Sequence, residues 1–129
     1  MHKTYLWTGA LTAAIAVSLG AFGAHALKQI VPPDTVSTFQ TGVQYQMYHS
    51  LALLATGIIY ERYPVKFIKW AGICFMLGII LFSGSLYLLS FLKIRESSVI
   101  KFVGPITPIG GIFFITGWLF LLAGVIRKK

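Results

Sequence analysis

The chain has 129 residues, 57% of them hydrophobic and 11% charged, where an average soluble domain carries roughly 25% charged residues. All the charges lie outside four uncharged stretches, Thr4–Leu27, Thr35–Tyr60, Trp70–Leu92 and Phe102–Ile126, which excludes a soluble globular fold. The net charge of +8 comes from basic residues at the ends of those stretches, the place of span anchors rather than of a nucleic-acid-binding face.

A bilayer core about 30 Å thick is crossed by about 20 apolar residues in a helix, and the four stretches run to 24, 26, 23 and 25 residues. The expectation is an all-α integral membrane four-helix bundle, a single transmembrane domain over residues 1–129. The spans fall at about 5–27, 37–61, 70–92 and 107–126. Lys3, an apolar run and Ala24-His25-Ala26 imitate a cleavable secretory signal. The run exceeds the usual apolar core of about 7 to 15 residues, so it reads as a retained first span.

In that span Gly9, Ala13, Ala16, Gly20 and Gly23 recur at steps of three and four and make one stripe with almost no side chain. In lipid the hydrophobic effect does not press helices together, so close backbone approach must do it. The stripe is where another helix should lie, as an internal seam in preference to a dimer contact. Pro32-Pro33 then stops the helix, Asp34 or Thr35 can cap the next one, and Ser37-x-x-Gln40 reads as a capping box. The second helix should end near Tyr63-Pro64.

The third span has Trp70 and Tyr87 near its two ends, where amphipathic rings prefer to sit, and the single cysteine, Cys74, inside it as a small apolar filler. A lone thiol excludes an internal disulfide. The outer loop carries Lys93, Arg95, Glu96 and Lys101. After it, Thr107 as N-cap and Pro108 as first helical residue predict the start of span four, with 102–106 as non-helical backbone. Gly110 and Gly111 are further candidates for close helix packing.

Four spans put both termini and the loop between spans two and three on one side. That side holds Lys3, Arg62, Lys66, Lys69, Arg127, Lys128 and Lys129, and the other holds Lys28, Lys93, Arg95 and Lys101. The positive-inside rule places the richer side, and both termini, in the cytoplasm. Following the chain by depth gathers His25, Gln46, His49, Ser83, Tyr87 and Thr107 toward the outer half, while the inner half offers little beyond Thr8, Thr12, Thr56 and Cys74. Two roles fit that set. It either joins helices by hydrogen bonds, with the histidines on free carbonyls of 104–107, or lines a small pocket open to the outer leaflet.

Two histidines without a third Cys, Asp or Glu make an incomplete metal site, and their unequal depths disfavour paired haem ligation. No cofactor is expected. Catalytic carboxylate pairs, a Ser-His-Asp set and a phosphate-binding glycine loop are all missing, which leans against an enzyme without closing the question. Small multidrug efflux proteins also have four spans in about this length, but the membrane-embedded carboxylate they use has no counterpart in the four uncharged windows.

GAFGAH at Gly20–His25, the run from Phe39 through Tyr45-Gln46-Met47-Tyr48-His49 to Leu53, FSGSLY at Phe82–Tyr87, and GPITPIGG at Gly104–Gly111 with Gly117-Trp118 resemble one family. It is the transmembrane protein 256-like group of small four-span proteins known as domain of unknown function 423. The resemblance implies an integral protein of a bacterial inner membrane or of mitochondria, and carries over no activity or catalytic residue. The leading expectation is a non-enzymatic multi-pass protein of the cell (inner) membrane whose polar cluster packs helices and is a candidate site for a lipid or small solute. Its partners would be membrane lipids and, as an open question, further copies of itself, with no nucleic acid. The alternative is a small transporter or channel, oligomeric or not, that uses His25 and His49.

Overall fold

The computed structural model describes residues 1–95, 98 and 100–127. Glu96, Lys128 and Lys129, which enter the charge reading above, lie outside the described residues. The described residues are helical, with no strand among them. Helix α1 covers Lys3–Ala24 and is followed by a 3-10 turn at Leu27–Gln29; α2 covers Pro33–Arg62. The third long helix is built of α3 (Lys66–Gly78), a π-helical turn (Ile79–Ser83) and α4 (Gly84–Ile94). A short α5 (Ile100–Val103) leads into α6 (Ile106–Arg127).

Two helix starts differ from the sequence expectation. Helix α2 begins at Pro33, with Pro32 extended before it at φ −65° and ψ 160°. Proline is preorganised for the first helical position and gives up an N–H that would be unpaired there anyway. Ser37 is therefore inside the helix rather than at its cap, and its carbonyl accepts the Thr41 hydroxyl at 3.0 Å. Helix α6 begins at Ile106, so Thr107 is a first-turn residue and not the N-cap. The stretch expected to be open backbone instead holds the α5 turn and a hydrogen-bonded link, with the Gly104 N–H on the Ile100 carbonyl at 3.1 Å. Pro108 is tolerated because first-turn N–H groups have no intrahelical partner.

Among the described residues, three helical stretches are long and apolar enough to cross a membrane: Lys3–Gln29, Lys66–Ile94 and Ile100–Arg127. Helix α2 has 30 residues, the longest of the set, but Gln40, Gln44, Gln46 and His49 dilute its apolar character. It lies between its neighbours: α1 packs along one side, and the α3–α4 helix along another, with α6 packed on α3 and the π turn. Gly9, Ala16 and Gly23 are buried. A methyl added at Gly9 would sit 2.9 Å from the Ser50 carbonyl oxygen, one at Gly23 2.7 Å from the Gln40 amide nitrogen, and one at Gly20 3.3 Å from Val43. The small-residue stripe thus faces α2 of the same chain, with Ala13 half-buried beside it.

The core centres on Leu53, Phe75, Ala71, Ile79 and Phe114, while Trp7, Leu11, Ile112, Ile115, Leu119 and Leu122 point outward. An apolar exterior of this kind is at no disadvantage in hydrocarbon. At one end of the bundle the His2 N–H reaches the Gly57 carbonyl at 3.0 Å and the Arg127 guanidinium lies 5.5 Å over the Phe67 ring. Lys3, Arg62, Lys66 and Lys69 share that end. At the opposite end Lys93 pairs with Asp34 at 3.7 Å, in company with Lys28, Arg95 and Lys101.

Candidate functional site

The polar residues converge on Gln46, in the middle of α2 and 3% exposed. Its Nε2 donates to the Thr12 carbonyl at 2.7 Å, and its Oε1 accepts the Tyr87 hydroxyl at 2.6 Å. One amide thereby joins α1, α2 and α4. Directly beside it the Ser50 hydroxyl lies 2.6 Å from the Gln46 carbonyl and 2.7 Å from the Thr12 hydroxyl. Helical side chains lean toward the N-terminus of their helix, so Tyr87, placed beyond Gln46 toward the C-terminal end of the third long helix, brings its hydroxyl back to the level of Gln46. Its ring passes α2 at Gly42, where an added Cβ would sit 2.9 Å from Tyr87 Cε1. No larger residue leaves room for that path.

The π turn sets which face of α4 meets α2. One extra residue in a turn rotates everything after it by about 100° relative to a regular helix. In the rotated arrangement the Ser83 hydroxyl donates to the Gly42 carbonyl at 2.7 Å, and Leu86 and Tyr87 lie against Gly42. On the other side, the Ser85 and Thr107 hydroxyls meet at 2.5 Å and tie α4 to α6. At Gly110 the backbone of α6 comes against the backbone of Leu81 and Phe82 in the π turn.

His49 stands one turn beyond Tyr45 in a separate aromatic nest. Its ring stacks on Phe114 with centroids 3.5 Å apart and an interplanar angle of 9°. Trp118 Nε1–H donates to His49 Nε2 at 3.1 Å, and Nδ1 lies 2.7 Å from the Tyr45 carbonyl. Indole is a donor only. Nε2 is therefore the accepting nitrogen and Nδ1–H the donor, the arrangement of a neutral imidazole with both nitrogens occupied.

The six candidate residues thus separate. Gln46 and Tyr87 bond directly, Ser83 joins α2 one turn away, His49 has its own partners, and Thr107 pairs with Ser85. His25 is apart from all of them, exposed just past the end of α1. Gly23 packs at Gln40, which sets Gly23 roughly 13 Å from His49 along the α2 axis at 1.5 Å per residue, with His25 further still toward that end. The two histidines do not form a pair. The set is also not confined to the outer half, because Gln46 and Thr12 lie at the middle of their helices. Thr12, Ser50, Ser85 and Trp118 complete the network. Thr12 appeared in the sequence only as a sparse inner-half hydroxyl, since the register between α1 and α2 is invisible in one dimension.

Among the described residues no three His, Cys, Asp or Glu side chains are grouped as metal ligands would be. What the arrangement does chemically is satisfy amide, hydroxyl and imidazole groups within the bundle and so fix the depth and rotation of the helices.

The chain matches the family described as Protein of unknown function (DUF423) over residues 19–111, a range that includes Gln46, His49, Ser83, Tyr87 and Thr107. It is similar to a UPF0382 membrane protein of Staphylococcus saprophyticus, 43% identical over 97% of this chain and 98% of the relative. A UPF0382 membrane protein of Haemophilus influenzae is 41% identical over 100% of this chain and 98% of its own length. The UPF0382 inner membrane protein YgdD of Escherichia coli is 38% identical over 93% of this chain and 87% of its own. No solved structure matches significantly. With similarity running nearly end to end and helices apolar enough to cross a bilayer, this chain belongs to the DUF423 family of membrane proteins.

Proposed function

We propose that the chain is a four-span protein of the cell (inner) membrane with both termini in the cytoplasm. In this reading it is non-enzymatic, and its mid-membrane polar network is a packing lock rather than a solute path. The observation that carries this reading is the Gln46 amide, whose two ends are taken by Thr12 of α1 and Tyr87 of α4. A polar group in lipid without such partners would cost several kcal/mol, and partners on two further helices make the group a registration device. Both nitrogens of His49 are likewise occupied, which leaves neither free to accept a proton or solute without breaking a bond. Helix α2 counts as the fourth span because its buried polar side chains, Gln46 and His49, are enclosed by α1, α4 and α6 and because it is long enough to cross.

One preparation tests the proposal. In a Cys74→Ala background, single cysteines at Pro64 and Ser98 report the two ends of the bundle to an impermeant thiol reagent. Pro64→Cys should react only from the cytoplasmic side and Ser98→Cys only from the opposite side, and the reconstituted parent protein should give no proton or solute flux above that of empty vesicles. Reversed labelling overturns the orientation, and a flux lost in His49→Ala overturns the packing reading in favour of transport.

A further inference from the structure

We infer that the crevice between α1 and α3 with its following π turn is a binding site for one anionic phospholipid of the leaflet at the basic end, a site that borders the Gln46 network at Thr12 but does not depend on that network's role. Tyr5 wedges the two helices apart near that end. Its ring fills the space over Gly72, and its hydroxyl donates to the Lys69 carbonyl at 2.5 Å. Beyond this wedge a groove of about 170 Å³ opens, lined by Thr8, Thr12, Met76, Ile79 and Ile80, with Leu53 of α2 as its floor. The threonine hydroxyls turn inward to the carbonyls of Thr4 and Thr8, at 2.6 and 2.8 Å. The groove therefore offers methyl and methylene surface and no unmet polar group.

The charge sits where a headgroup belonging to that groove would lie. Residues seven apart on a helix share a face, so Lys69 stands directly below Met76, with Ile80 one turn further on. At 1.5 Å per residue these two are about 10 and 16 Å above Lys69, and one leaflet of a bilayer is about 15 Å of hydrocarbon. A phosphate at Lys69 puts its acyl chain in the groove. Lys66 and Lys3 are exposed at the same end, as is Lys69, and Glu61 is the only acidic side chain there among the described residues. No side chain caps the start of α3, so its positive end adds to the field of Lys66 and Lys69. A zwitterionic headgroup would gain far less from this concentration of cations. A second copy of the chain is disfavoured as occupant because a helix about 10 Å across does not fit a groove of about 170 Å³.

The test is native mass spectrometry of the full chain released from vesicles of phosphatidylglycerol and phosphatidylcholine in equal amounts with identical acyl chains. Retained lipid should favour phosphatidylglycerol by about fivefold for each lysine engaged. Lys66→Gln with Lys69→Gln should erase the preference, whereas Lys28→Gln with Lys101→Gln, at the other end, should preserve it. Ile80→Trp should reduce retention of both lipids with the lysines intact. Thr8→Phe fills the groove from the α1 side and serves the same purpose if the first variant does not fold. Equal retention of the two lipids, a preference that survives loss of Lys66 and Lys69, or retention unchanged by a filled groove each overturn the site. So does an intermolecular disulfide from Thr8→Cys in the Cys74→Ala background, which would mean that another copy occupies it.

Discussion

Gly110 and Gly111 are adjacent in sequence and in the same turn of α6, yet alanine should have opposite consequences at the two. At Gly110 a Cβ would meet backbone, 2.7 Å from the Phe82 Cα and 2.8 Å from the Leu81 carbonyl carbon. Carbon atoms pack at about 3.5–4.0 Å, so α6 and the π turn would have to separate by roughly 1 Å. Gaps of about 0.5–1 Å forfeit a quarter to a half of each dispersion contact. The loss would extend along the seam where Gly117 faces Phe75 and Gly124 faces Ile68. Overpacking of this kind costs about 1–3 kcal/mol, and Gly110→Ala is expected in that range. At Gly111 the nearest atom is on the Phe82 ring at 3.9 Å, an ordinary contact. Gly111→Ala should be neutral or stabilising by up to about 1 kcal/mol, the helix preference for alanine over glycine. Reversible unfolding of both variants in mixed micelles measures the difference. Equal effects, or the reverse order, would refute the close approach of α6 to the π turn.

Two further outcomes follow from the polar network. Tyr87→Phe and Gln46→Leu should be non-additive, with a coupling energy of about 0.6 kcal/mol, the average for membrane-embedded hydrogen bonds; a double-mutant cycle returning zero would mean that the Tyr87–Gln46 bond does not form. The 15N spectrum of His49 should show a protonated Nδ1 and a bare Nε2, and His25→Ala should change stability by less than about 0.5 kcal/mol, as for other exposed positions. A protonated Nε2 on His49 would rule out the bond from Trp118.

Much of the architecture is legible in one dimension because lipid imposes a one-dimensional rule. Charged side chains are excluded from the hydrocarbon, so the uncharged windows mark where helices run. The second helix ends at Arg62, directly before Tyr63-Pro64, as the proline predicts. The π turn has no such signature, since Ile79–Ser83 reads like any other apolar helical stretch. The start of α2 at Pro33 follows from proline's preorganisation for the first helical position, which outweighs the cap motif at Ser37. Helix α6 instead starts at Ile106, ahead of the Thr107-Pro108 motif, where the Thr107 N–H already bonds the Gly104 carbonyl at 3.3 Å in the turn that follows α5.

The candidate site was readable as residue types but not as partnerships. Gln46, His49 and Tyr87 are conspicuous as polar groups in apolar surroundings, whatever their neighbours. Whether His25 belongs with them depends on helix rotation and registration, and in the folded chain it lies exposed, away from His49.

Sequence by itself determined a membrane-embedded all-helical chain, its family and the asymmetry of its basic ends, because charge and hydropathy decide where each segment partitions. Tertiary structure alone decided which polar groups meet. That outcome depends on the close approach of α1 to α2 at Gly9 and Gly23, on the passage left for Tyr87 at Gly42, and on the rotation added by the π turn. These are interhelix distances and angles, and no local pattern along the chain encodes them.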